Sequence, residues 1–221
     1  MNYSEFKQLL FSYQDEKYAS FSKKIYNSNY QIIGVRTPIL KQIIKDHYLD
    51  KDLDIEEFEY SKYVEMAIAY FAIYLKRERK IEKQLAFLRK NISKAQSWAV
   101  TDVIPQYMSK AKFDDYYDFF LECYQSKDTY KRRFAYVYGL KFDKQKEILK
   151  ILNHINLNEE YMVMMAEAWL LSEMAINFED EVYNFLSKVA DKPLKQKAIS
   201  KICDSYRYSD ESKARFKGLR K

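Results

Sequence analysis

In the stretch SWAVTDVIPQYM, residues 97–108, a single carboxylate, Asp102, follows Trp98 by four residues inside an otherwise apolar run. On a helix that spacing places both side chains on one face, within a few ångströms of each other. An indole face attracts cations, and a fixed carboxylate stabilises positive charge that develops during a reaction. The same residues fit a plainer role, in which Asp102 caps or salt-bridges a neighbouring helix and Trp98 fills core. Spacing alone leaves both readings open.

Other chemistries find little support in the 221 residues. Only three glycines and three prolines occur, with no GxxxxGK[ST] and no GxGxxG, so neither a P-loop nor a dinucleotide fold is expected. His47 and His154 stand alone without HExxH, and Cys123 and Cys203 lack CxxC spacing. No metal, no cofactor and no disulfide framework is therefore expected, and the thiols suit a reducing cytoplasm. The opening MNYSEFKQLLFSYQDEKY has early acids and no long apolar run, so neither a signal peptide nor a membrane anchor is read there. With 38 Lys+Arg against 32 Asp+Glu, the net charge of +6 is compatible with a polyanionic partner without requiring one. The 21 tyrosines could line a core or stack on a base.

A glycine-poor chain of this kind must position its chemistry on helices. Amphipathic segments begin near Lys62 (KYVEMAIAYFAIYL), Ser97, Thr129 (TYKRRFAYVYGL), Glu160 (EYMVMMAEAWLLSEMA) and Leu194 (LKQKAISKICDSYR). Their starts recur roughly every 30 to 35 residues, the pitch of two-helix solenoid units. Partner helices are expected in PILKQIIKDHYL, KIEKQLAFLRKNI, FDDYYDFFLECY, KQKEILKILNHI and EDEVYNFLSKVA. Both tryptophans, Arg132, Arg133, Lys195, Lys197 and Lys201 fall on second helices, which commonly line the concave side of such stacks. Met162, Met165, Leu170 and Tyr136 read as packing residues, and KRERK at 76–80 as a solvated helix end. In GVRTP, Gly34 supplies a turn, Thr37 an N-cap and Pro38 the first helical position.

Five pieces in order, GVRTP (34–38), SWAVTD (97–102), KRRFAYVYGL (131–140), MMAEAWLLSE (164–173) and CDSYRYS (203–209), resemble the AlkD-like DNA alkylation repair proteins across nearly the whole chain. The resemblance implies one all-α domain over residues 1–221, a right-handed superhelical solenoid of HEAT-like helix pairs whose concave face holds duplex DNA. It implies release of cationic alkylated purines, 3-methyladenine and 7-methylguanine, by hydrolysis of the N-glycosidic bond without base flipping. Asp102 would be the catalytic carboxylate, Trp98 and Trp169 its flanking aromatics, and Arg133 a cation on the phosphates. Arg132, Lys195, Lys197 and Lys201 would add DNA contacts. A monomer with one continuous core is expected because the helix pairs bury each other's faces, placed in the cytoplasm and associated with the nucleoid when bound to DNA.

An alkylated purine is already a cationic leaving group, so one carboxylate can suffice where ordinary glycoside hydrolysis uses two. Two other readings use the same residues differently: a non-catalytic binder of damaged or branched DNA, which has no need of Asp102, and a helical-repeat scaffold for protein partners.

Overall fold

The computed structural model describes residues 1–26, 28–58, 61–109, 112–142, 144–155 and 160–220. Among them are thirteen α-helices and no strand, only an isolated bridge between Gln31 and Tyr63. The all-helical expectation is met. The chain divides into two compact units, Met1–Ala111 and Lys112–Lys221.

The first unit runs α1 (Tyr3–Ser12), α2 (Glu16–Tyr26), α3 (Thr37–His47), α4 (Val64–Arg77), α5 (Ile81–Asn91) and the single-turn α6 (Trp98–Thr101). Asn2 and Glu5 close a reciprocal capping box on α1, a contribution of about 1 kcal/mol. The hub is α4, which packs on α3 and α6. Its sequence VEMAIAYFAIYLKR is apolar nearly all round, and Val64, Met66, Ala69, Phe71, Ala72, Ile73 and Leu75 are buried, as befits a helix enclosed by neighbours. Arg77, in the run read as a solvated end, is an exposed residue whose guanidinium nevertheless donates to the Tyr48, Asp50 and Leu53 carbonyls, stapling the loop after α3.

One boundary differs from expectation. Arg36, rather than Thr37, is the N-cap of α3, without a side-chain cap bond, so Thr37 becomes the first helical residue and Pro38 the second. The reason lies in Arg36's partners: its guanidinium is held by Asp15 at 2.8 Å and lies over the Tyr18 ring. That engagement keeps Arg36 extended, and its carbonyl then accepts the first helical bond, from Leu40.

The second unit runs α7 (Phe113–Tyr124), α8 (Thr129–Gly139), α9 (Gln145–Leu152), α10 (Tyr161–Met174), α11 (Glu179–Lys188), α12 (Lys192–Asp204) and α13 (Asp210–Lys217). Here α8, α10 and α12 lie side by side, with α7 on α8 and α11 on α10. Flanked on both sides, α10 buries Val163, Met164, Ala166, Ala168, Leu170, Leu171 and Met174. A methyl group at Gly139 would sit 3.0 Å from the Tyr116 hydroxyl, so glycine there permits the close approach of α7 to α8. Much of the tyrosine content is core. Tyr116, Tyr136 and Tyr138 are fully buried; the Tyr116 hydroxyl donates to the Ala135 carbonyl at 2.7 Å and that of Tyr136 to the His154 carbonyl at 2.9 Å. Leu170 is buried as expected, whereas Met162 and Met165 are only half-buried.

Candidate active site

The SWAVTDVIPQYM segment is not one helix. Ser97 caps α6 by accepting the Ala99 N–H, the helix closes after a single turn, and a 3₁₀ turn follows over Ile104–Gln106. Pro105 has no N–H to continue a helical ladder, so the chain must change course there. Asp102 is accordingly the C-cap of α6 rather than a mid-helix residue, and its backbone N–H donates to the Trp98 carbonyl at 3.0 Å. Both side chains are half-exposed, one helical turn apart at the two ends of α6. The Thr101 hydroxyl donates to Asp102 Oδ1 at 3.1 Å, orienting the carboxylate.

Trp98 is gripped from α2. Its Nε1–H donates to the Ile25 carbonyl at 2.9 Å, and its ring meets that of Tyr26 edge-on, with centroids 5.2 Å apart and planes at 82°. The Tyr26 hydroxyl pairs with that of Tyr18 at 3.5 Å, and burial together with this pairing pushes its pKa up to about 12. The other end of α2 is docked as firmly. Gly34 adopts a φ of +96°, and a Cβ there would lie 2.4 Å from the Asp15 carbonyl oxygen. The backbone N–H of Tyr18 and the Arg36 guanidinium both hold the Asp15 carboxyl below its ordinary value. Beneath this loop, buried Glu65 of α4 accepts the N–H groups of Ile33, Gly34 and Val35 at 3.0, 2.7 and 3.2 Å.

In the second unit Trp169 lines a cleft of about 320 Å³ with Ser172, Glu173, Lys201, Asp204, Ser205, Arg207 and Tyr208. Glu173 forms an ion pair with Arg207, and this hydrogen bond holds the guanidinium's pKa above its usual value. The Tyr208 hydroxyl donates to the Ser172 carbonyl, and burial, reinforced by the Glu173 charge, raises its pKa. The cleft thus joins an indole, two cations and two carboxylates at the C-terminal ends of α10 and α12.

The expected phosphate contacts fall into two groups. Lys195, Lys197 and Lys201 ride on α12, with Lys197 exposed and its ammonium over the Tyr161 ring. Arg133 is instead buried and donates to the Met162 carbonyl at 2.6 Å, while Arg132 pairs with Glu160 at 3.3 Å. Both arginines therefore brace the start of α10 against α8. Sequence reasoning passed over Tyr26, Glu65 and Glu173. Glu65 carried a readable signal, a lone acid within the apolar run of α4; Tyr26, one of many tyrosines, carried none.

A family model described as DNA alkylation repair enzyme matches residues 6–202, spanning most of both units. The chain belongs to that family. No curated protein matches it significantly. Membership of the DNA alkylation repair enzyme family gives the protein a role in DNA alkylation repair. Among the described residues no helix is long and apolar enough to cross a membrane, and no group of three or more His, Cys, Asp or Glu could hold a metal ion.

Proposed function

We propose that the protein is an alkylpurine DNA glycosylase that hydrolyses the N-glycosidic bond of cationic bases such as 3-methyladenine and 7-methylguanine in duplex DNA, without base flipping. The observation that carries this reading is the half-exposed Trp98–Asp102 pair on the α6 turn. As the C1′–N bond breaks, its electron pair leaves with the purine, which becomes neutral, and positive charge passes to the deoxyribose. The Asp102 carboxylate opposes that charge and orients the water whose oxygen bonds to C1′, the released proton going to the carboxylate or to solvent. The Trp98 indole face packs on the sugar and attracts the same developing cation.

In the second unit, Trp169 offers another indole face for deoxyribose, and Lys195, Lys197 and Lys201 hold phosphates. Burial of Arg133 and the pairing of Arg132 with Glu160 give those residues a different part in this reading: they fix α10, which carries Trp169. The test is release of a methylated purine from alkylated duplex DNA by the purified protein. Release at a rate well above spontaneous depurination supports a glycosylase; tight, salt-sensitive binding without release supports the non-catalytic DNA binder.

A further inference from the structure

The last turn of α2 meets the α6 turn through three contacts. The final carbonyls of any helix lack intrahelical partners and are open to outside donors. Here the Ile25 carbonyl takes the Trp98 Nε1–H at 2.9 Å and the Tyr26 carbonyl takes the Ser97 hydroxyl at 3.5 Å. The third contact is the Tyr26 ring, standing edge-on to the Trp98 indole at 82°. A hydrogen bond from the indole edge fixes rotation of the ring within its plane, and an edge-on aromatic neighbour fixes its tilt. Together they hold one indole orientation on a one-turn helix too short to do so itself.

We propose that Tyr26 is a positioning residue for the reaction, acting with the last-turn carbonyls of α2 to set the angle of the Trp98 indole beside Asp102. This inference rests on the glycosylase reading, because an indole must be presented at a set angle only if its face meets a reacting sugar. The arrangement is anchored at its far end. Gly34 lets the 33–35 segment lie against Asp15 and Ala19 at the start of α2, and Glu65 holds that segment from below. A fixed α2 therefore transmits a fixed Tyr26.

Two readouts separate this role from simple stability. Replacing Trp169 by Phe leaves Trp98 as the sole tryptophan, whose emission and time-resolved anisotropy report its environment and motion. With Tyr26 present the indole should tumble with the whole protein; in Tyr26→Leu it should gain a fast local component and red-shifted emission. Tyr26→Phe, which keeps the ring edge and loses only the hydroxyl, should behave like the unmodified protein. With Trp169 in place, the single-turnover rate of base release should fall about 10- to 100-fold in Tyr26→Leu and recover in Tyr26→Phe, with DNA affinity within about twofold throughout.

Unchanged anisotropy and rate in a folded Tyr26→Leu protein overturn the proposal. So does a Tyr26→Phe protein as impaired as the leucine variant, since the hydroxyl would then be the working group. If Tyr26→Leu fails to fold, a freely rotating Trp98 in the Tyr26 protein overturns it, and an immobile one with full activity in Tyr26→Phe supports it. Absence of base release by the unmodified protein would remove the glycosylase reading, while the anisotropy would still decide whether Tyr26 orients Trp98.

Discussion

Glu65 Oε1 accepts the backbone N–H of Gly34 at 2.7 Å, and the same carboxylate serves Ile33 and Val35. A buried acid in an apolar helix is thereby supplied with three donors, and an extended segment without strand partners has its N–H groups satisfied. Glu65→Gln keeps the shape and removes the charge that strengthens these bonds. A loss of about 2 kcal/mol is expected in urea unfolding of the purified protein. Unaltered stability would mean that the clamp does not depend on the carboxylate.

Tyr26 gives a pH signature. Its hydroxyl is held neutral by burial and by the Tyr18 hydroxyl, with a folded pKa of about 12 against an ordinary value of 10.0. An acid whose pKa is raised by folding contributes stability in full below its unfolded value, and that contribution is lost as pH climbs towards the folded value. Unfolding midpoints measured from pH 9 upward should therefore drop more steeply between about pH 10 and 12 for the unmodified protein than for Tyr26→Phe. Parallel curves would show that Tyr26 titrates as it does in the unfolded chain.

The cations should separate by burial. Each phosphate neutralised adds about 0.9 to the slope of log affinity against log salt concentration. Lys197→Ala, on the exposed face of α12, should flatten that slope by about one unit. Arg133→Ala should leave the slope nearly unchanged and lower thermal stability instead, because its guanidinium is spent on the Met162 carbonyl. A flattened slope in Arg133→Ala with intact stability would return that residue to the DNA surface.

Periodicity made the helices legible, above all in the second unit, where helices begin at Phe113, Gln145 and Glu179 as the segments suggest and α10 reads as apolar all round. It failed at residues 97–108, where an apolar run looks helical throughout but Pro105 interrupts the ladder and leaves Asp102 as a cap. The one-turn separation of Trp98 and Asp102 was visible because it depends only on a local spacing. What positions it was not. The Ile25 carbonyl is a backbone group with no sequence signature, and Tyr26 reaches Trp98 across more than seventy residues of intervening chain. Burial likewise decides the part of Arg133, and no pattern of neighbouring letters records that its guanidinium turns inward.

Asp102→Asn tests the central claim most directly, since it preserves size and removes the negative charge. The measurement is the single-turnover rate of methylpurine release from alkylated duplex DNA, alongside DNA affinity and thermal unfolding. With the carboxylate stabilising an oxocarbenium-like transition state, release should fall roughly 100-fold or more. Affinity should hold or rise, because an anion has left a surface facing phosphates, and the unfolding midpoint should stay within a few degrees. Base release by Asp102→Asn at the unmodified rate would contradict the account.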